Sequence, residues 1–311
     1  MQSTNITVKN TPYHCSGVHK NRLLIGEGNF SFAQALINKH DAKAGHTENG
    51  SLGKSIVATE YKDSLLCDMC KLLQPMKGLK ISDTSNNKDD NFCDHCVSTV
   101  KRVEELKKKG VAVYLKVDAE KLHEMSAIKD KRFQRIHWNC PHDGSQFKKQ
   151  TLPKIIDNFF KSCIKLQSHK DRIHITLAQP PGKKDFYQGY IYNIAHAAVR
   201  SGYKIVKKRH FGSDRYPGYQ HLQTKKNEKA SVTDEGIREF VFQQVSSKSW
   251  DEAAAKLKEE KRYNLFGMAN KLTERSEKEC DIFQGTFYGE SRLYFDCSTD
   301  QDSSDYESLE R

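Results

Sequence analysis

No stretch of 18 consecutive apolar residues occurs in the 311-residue chain, which excludes a membrane-spanning helix. The first residues, MQSTNITVKNTPYHCSG, have no apolar core of the kind a secretory leader needs. Retention inside the cell is therefore expected, with cysteines free or metal-bound rather than bridged. The chain also has no internal repeat. One further absence is local. The stretch RLLIGEGNFSFAQAL, from Arg22 to Leu36, starts like a strand entering a G-x-G-x-x-G nucleotide loop, but Ser31 stands where the third glycine belongs.

Hydrophobic residues make up 36% of the chain and charged residues 29%, enough apolar material for a core inside a very polar protein. The net charge of +11 favours a polyanionic partner. Between Arg200 and Lys229 nine Lys or Arg face only Asp214 and Glu228, which fits either a nucleic-acid surface or a solvated lysine-rich face. The last sixteen residues carry six acids and one base, the composition of a disordered tail.

Short apolar runs alternate with helical patterns from residue 20 to 245. Strands are predicted at Arg22–Ile25, Ser55–Thr59, Val111–Val117, Phe133–Trp138, Arg172–Ala178 and Tyr203–Lys208. Helices are predicted at Phe30–Asn38, Val97–Lys109, Thr151–Ser168 and Asp185–Ser201. Ile155, Ile156, Phe159, Phe160 and Cys163 share one helical stripe. This alternation implies an α/β fold with a mostly parallel, doubly wound sheet, and a last strand at Arg238–Gln243 is expected to insert antiparallel at an edge. Lys39–Lys54 and Gly78–Phe92 read as polar loops. Beyond Val245 an exposed helix and a hairpin are expected, then the acidic tail from residue 296.

In a strand–loop–helix unit the first glycine allows the tight turn and the second lets the backbone approach a ligand. Phe30 and Ser31 would crowd a pyrophosphate, so the loop suits a nucleoside ligand without one, such as S-adenosylmethionine. Glu60 ends the second strand, where a carboxylate binds a ribose diol. The 34-residue gap from Gly26 exceeds the usual spacing of about 20, and the Lys39–Lys54 insert accounts for the difference. Asp118 follows the third strand and can accept from an adenine amino group. Either acid alone is more often a helix N-cap or a surface residue; together they favour a nucleoside. The fourth strand ends Asn139-Cys140-Pro141-His142, similar to the N/D-P-P-aromatic loop of methyltransferases acting on planar nitrogens.

LLIGEGNFSFAQAL, VATEY, GVAVYLKVDAEKL, FQRIHWNCPHDG and YPGYQHLQT, in this order, resemble the 25S rRNA (uridine-N3)-methyltransferase-like family over residues 21–243. The resemblance implies a Rossmann-like, S-adenosylmethionine-dependent enzyme that methylates N3 of a uridine in large-subunit rRNA. It implies a methyltransferase domain over 21–245 with a cysteine-containing insertion at about 63–97. A flexible segment would precede it, and the chain would act as a monomer in the cytoplasm or, in a nucleated cell, the nucleolus.

Carried over by motif, Gly26, Glu27, Gly28, Asn29, Phe30 and Ser31 form the cofactor loop, and Glu60 and Asp118 hold ribose and adenine. Asn139, Pro141 and His142 line the reacting end. Tyr216, Pro217, Gly218, Tyr219, His221 and Thr224 border the RNA, beside basic residues such as Arg209. Cys140 stands where relatives have an aromatic residue, and the segment after the second strand is longer than theirs. Methylating an imide nitrogen requires a proton acceptor, assigned to His142 or Asp143, and a cation beside the developing imidate. The target base must be unstacked, with Tyr216 and Tyr219 as candidate platforms.

Cys67-x-x-Cys70 and Cys93-x-x-Cys96 are separated by twenty-two residues, a spacing used for tetrahedral Zn²⁺. A structural zinc clipping the insertion is expected, although the knuckles lack their usual glycines. A rival reading pairs His46-Thr-Glu48 with Cys67 and Cys70 in the manner of a zinc nucleobase deaminase. Another is a non-catalytic RNA-binding relative of the same fold.

Overall fold

The structure, a computed structural model, describes residues 20–44, 52–73, 92–142, 148–179, 192–221 and 236–245. Its strands are β1 (Arg22–Ile25), β2 (Ile56–Thr59), β3 (Ala112–Tyr114), β4 (Arg135–Asn139), β5 (Arg172–Ala178), β6 (Tyr203–His210) and β7 (Ile237–Gln244). They form one sheet in the order β3-β2-β1-β4-β5-β7-β6. The first five are parallel, whereas β7 runs antiparallel to both β5 and β6. The antiparallel strand therefore belongs to the edge region, one place in from the rim, with β6 outermost.

The predicted strands at Arg22–Ile25 and Arg172–Ala178 coincide with β1 and β5. The third is shorter than expected, because Lys116 adopts a left-handed backbone (φ 57°) and turns the chain after Tyr114. Among the described residues five helices accompany the sheet: α1 (Ser31–Ala44), α2 (Asp68–Leu73), α3 (Asp94–Lys108), α4 (Lys148–Cys163) and α5 (Ile194–Arg200). α1 extends into the stretch expected to be a loop from Lys39. The predicted C-terminal helix, hairpin and tail, and the start of the helix expected from Asp185, lie outside the described residues.

Each face of the sheet buries its own core. On one face α4 packs Leu152, Ile156, Phe159, Phe160 and Cys163 with Leu23, Ile136, Ile173, Ile175 and Phe242; of the stripe read from the sequence, Ile155 is only partly buried, and Leu152 joins the core beside the others. On the other, Phe32, Leu36 and Ile37 of α1 and Val103 and Leu106 of α3 cover Leu24, Ile56 and Ala58. This second face also buries polar groups. Glu239 accepts from His174 Nδ1 at 2.8 Å and is ion-paired with Arg209. His174 stacks on His137, whose Nε2 lies 3.4 Å from Arg22 Nη1. Burial, then the neighbouring His174 and Arg22, push His137 well below the ordinary histidine range. Arginine can only donate, so the neutral His137 accepts through Nε2 and carries its proton on Nδ1.

The chain order reverses around β1. β2 lies on one side of it and β4 on the other, and the carboxyl ends of β1 and β4 flank the crevice at this switch point. Ligands of open α/β sheets bind at such places. The glycine loop leaves β1 and Asn139 ends β4 directly beyond the registered pair Ile25–Trp138.

Candidate cofactor and methyl-transfer site

Three left-handed residues alternate along the loop after β1: Gly26 (φ 61°), Gly28 (φ 62°) and Phe30 (φ 58°). Glycine takes this conformation freely, but Phe30 pays for it in backbone strain and is held by complete burial of its ring. The absent third glycine is thus replaced by an anchored aromatic residue that contributes backbone to the loop and side chain to the core. Space is open above Gly28, where an added Cβ would meet nothing within 4 Å, while at Gly26 it would meet Trp138 Nε1 at 3.6 Å.

Glu60 sits at the end of β2 and is 7% exposed. Its Oε2 accepts from the Gly28 N–H at 2.6 Å and its Oε1 from the Lys62 N–H at 3.3 Å, which brings the loop and the acid expected to hold a ribose into contact. Asp118 caps the short turn Ala119–Glu124 by accepting from the Glu120 N–H through Oδ1 at 2.9 Å. Only that oxygen is used for capping. Glu27 folds over the start of α1, where its Oε2 accepts from the Ala33 N–H at 2.9 Å. Burial pushes its carboxyl up, the Ala33 N–H opposes this and the Glu60 charge adds to it, so that Glu27 titrates near 8.

This shift has a measurable consequence. Between the ordinary carboxylate value of 4.5 and about 8 the folded chain binds a proton at Glu27 that the unfolded chain does not. Its contribution to stability therefore falls as pH rises through this window. Glu27→Gln, which cannot ionise, is expected to gain about 1 kcal/mol or more over wild type at pH 8.5 relative to pH 5. Urea unfolding at the two pH values checks this; equal differences at both would show that Glu27 ionises normally.

Side chains from distant parts of the chain hold the loop in place. Arg102 of α3 donates through Nη1 to the Asn29 carbonyl at 2.6 Å. Asn29 Oδ1 accepts from the Ser31 N–H at 3.1 Å. Ser31 Oγ accepts from the Gln220 N–H and lies 3.0 Å from the Gln220 carbonyl. The segment Tyr216–His221 thus packs against the loop and α1, joining the two most specific motifs of the sequence.

Tyr216 is 7% exposed, stacked on Phe211 and tilted against Phe32, with Lys39 Nζ over its ring. Tyr219 is half-buried, meets Phe32 edge-on and lies with its hydroxyl 3.2 Å from His221 Nδ1. Arg209 is 6% exposed, and its guanidinium faces Glu239 rather than solvent. Thr224 lies outside the described residues.

At the end of β4 the Thr176 hydroxyl accepts from the Cys140 N–H at 3.1 Å and donates to Asn139 Oδ1 at 3.3 Å. Asn139 Nδ2 is buried and has no hydrogen-bond partner among the described residues. An unpaired buried amide donor costs about 1–3 kcal/mol, which marks the position as shaped for something other than stability. Cys140 is left-handed (φ 48°), with its thiol pushed up to about 11 by burial. Pro141 is buried and His142 exposed, whereas Asp143 lies outside the described residues. Arg102 and Thr176 carry no signal in the sequence that would single them out, whereas Gln220 lies inside the YPGYQHLQT motif.

The four cysteines of the insertion come together. The sulfurs of Cys67, Cys70, Cys93 and Cys96 all lie within 4.8 Å of one another. Leu66 and Phe92 pack beside them in a small core of their own. Burial raises the Cys67 thiol, but the Cys70 N–H and the three neighbouring thiols outweigh it and lower Cys67 to about 7. Both knuckles thus share one cluster, while His46 and Glu48 of the deaminase reading lie outside the described residues.

The sheet order, the antiparallel edge and the loop–acid contact at the switch point define a Rossmann-like methyltransferase fold. A family model described as rRNA (uridine-N3-)-methyltransferase BTM5-like matches residues 64–223, just over half of the chain, and the chain belongs to that family. It is 24% identical over 214 residues to an uncharacterized protein of Arabidopsis thaliana, covering 66% of this chain and 82% of that one. It is 23% identical over 205 residues to the ferredoxin-fold anticodon-binding domain-containing protein 1 homolog of Mus musculus, covering 64% of this chain but spanning only 27% of the mouse protein. Among solved structures, a 16S rRNA (adenine(1408)-N(1))-methyltransferase from Catenulisporales acidiphilia is 9% identical with a TM-score of 0.40, over 74% of this chain and 87% of that one. No helix among the described residues is long and apolar enough to cross a membrane.

Proposed function

We propose that the chain is an S-adenosylmethionine-dependent RNA methyltransferase whose product is N3-methyluridine in large-subunit rRNA. The observation that carries this reading is the 2.6 Å contact between Glu60 and the Gly28 N–H, at the switch point where Asn139 also ends its strand. The residues fit the cofactor. Open space above Gly28 admits its amino-acid end, Glu60 offers a buried carboxylate to its ribose diol, and Asp118 offers an oxygen to its adenine. When bound, the cofactor supplies an electrophilic methyl group on a sulfonium.

The chain's own residues do the rest. Asn139 Nδ2 donates to a uracil carbonyl beside N3 and stabilises the charge that builds there as the N3 proton leaves. His142 or Asp143 accepts that proton. Pro141 stiffens the turn between them. Tyr219 and His221 border the entering base, while the buried Tyr216 supports them from below. Cys67, Cys70, Cys93 and Cys96 hold a structural Zn²⁺ that clips the insertion.

Incubating the full chain with isotopically labelled S-adenosylmethionine and unmodified large-subunit rRNA, followed by nucleoside mass spectrometry, tests the reading. Labelled 3-methyluridine is expected. Cofactor binding without any labelled nucleoside would point to an RNA-binding relative, and a different methylated base would remove the uridine assignment.

A further inference from the structure

Cys93 and Cys96 are the residue before α3 and the third residue within it, and Cys67 and Cys70 hold the same places at the start of α2. Sulfur–sulfur separations of 3.4 Å (Cys93–Cys96), 3.7 Å (Cys70–Cys93) and 3.9 Å (Cys67–Cys93) bracket the roughly 3.8 Å edge of a tetrahedron with Zn–S bonds of about 2.3 Å. They are far too long for disulfides. Two backbone N–H groups point at sulfurs across the cluster, Cys67 N–H to Cys96 at 3.2 Å and Cys93 N–H to Cys70 at 3.4 Å. Such bonds hold thiolates in place as outer partners of a metal. No Cys93 side-chain hydrogen bond caps α3, so a metal-bound thiolate at its positive end would supply the missing stabilisation.

The cluster is wired to the cofactor loop from two sides. Along α3, Cys96 is followed six residues later by Arg102, about 9 Å further along the axis, and Arg102 holds the Asn29 carbonyl. Thr99, Val103 and Leu106 are buried on the same helix, so α3 moves as a unit with its first turn. Through the chain, Cys67 hangs from the segment that starts at Glu60, whose carboxylate holds the Gly28 N–H. The Arg102 and Glu60 hydrogen bonds to the loop therefore both come from segments joined to a knuckle.

We propose that one Zn²⁺ bound by Cys67, Cys70, Cys93 and Cys96 orders the Gly26–Phe32 loop through Arg102 and Glu60, so that cofactor affinity depends on the metal. The identity of that ligand rests on the proposed function, whereas the ordering of the loop is read independently of it. Thiol oxidation or metal withdrawal would then switch the site without touching a residue that contacts the ligand.

The test uses the full chain purified in reductant. Elemental analysis is expected to find one zinc per chain, and Co²⁺ exchange to give the absorption of a tetrahedral tetrathiolate. Chelation is expected to speed hydrogen exchange of the Gly26–Phe32 amides about 10-fold or more, with reversal by added Zn²⁺. Arg102→Ala should keep its zinc and show the same faster exchange, which separates the coupling from any general unfolding caused by losing the metal. S-adenosylmethionine affinity by calorimetry should fall about 10-fold in both. A chain that takes up neither Zn²⁺ nor Co²⁺ overturns the site. Unchanged loop exchange in stripped protein, or in zinc-loaded Arg102→Ala, overturns the coupling. If the loop responds but no form binds S-adenosylmethionine, the coupling stands and the proposed function fails.

Discussion

Asn139→Ala is expected to lower kcat for methyl transfer about 100- to 1000-fold, the usual effect of deleting a donor aimed at developing oxyanion charge. On the proposed function, cofactor affinity should stay within about a factor of two, because Asn139 ends β4 whereas the proposed ribose ligand Glu60 follows β2. Stability should hold or rise. The side chain contributes one 3.3 Å hydrogen bond from Thr176 and a buried Nδ2 with no partner, so truncation removes an unsatisfied group along with a weak contact. A catalytic loss without a folding loss separates this role from a packing one. Asn139→Asp sharpens the point, since a carboxylate of the same shape would repel the imidate it should stabilise. Thr176→Val, which frees the amide to rotate, should fall between wild type and Asn139→Ala. Single-turnover rates at saturating cofactor measure all three, and a fully active Asn139→Ala would remove the residue from the reaction.

The sheet was legible because its strands bury both faces and so read as short apolar runs; β1 and β5 stand at the residues the runs mark. The position of β7 inside the edge was not, since strand order depends on which surfaces meet after the chain has returned, and an apolar run carries no order. β3 was over-read because VAVYLKV keeps its apolar character through Val117, while the left-handed turn at Lys116 ends the strand at Tyr114, three residues earlier. The glycine pair, Glu60 and Asn139 could be picked out from the sequence as candidates because each sits at a strand end. Arg209 shows the opposite case. A count of positive charges over residues 200–229 cannot say which face of β6 each side chain takes, and Arg209 faces Glu239 on the neighbouring strand. Nor does spacing suggest that Gln220 grips Ser31 across 189 residues, or that Arg102 reaches back 73 residues to Asn29. Such contacts belong to the tertiary fold alone.

Glu239→Ala is expected to destabilise the chain by about 3–5 kcal/mol, because it leaves the buried Arg209 guanidinium and His174 Nδ1 without the carboxylate they share. Glu239 is 2% exposed, His174 4% and Arg209 6%, so little water reaches the group to compensate. The location magnifies the effect. β7 joins β5 to the rim strand β6, and Glu239 stands in register with Thr176 on one side and Arg209 on the other. Burial alone would raise the Glu239 carboxyl, but the His174 hydrogen bond and the Arg209 charge outweigh it and hold the group well below its ordinary value of 4.5. For a depressed acid the linked stability is present above the unfolded value and is lost as pH falls through the folded one. Wild type should therefore lose this contribution only below pH 4.5, whereas Glu239→Ala should lack it at every pH and show a shallower acid limb. Glu239→Gln keeps the shape and one acceptor and is expected to recover part of the loss near neutral pH while remaining insensitive to acid. Urea unfolding at pH 7 and again below pH 4.5 distinguishes these outcomes. An alanine variant within about 1 kcal/mol of wild type at pH 7 would mean that the buried pair is offset by its own desolvation and that β7 is held by Phe240 and Phe242 instead.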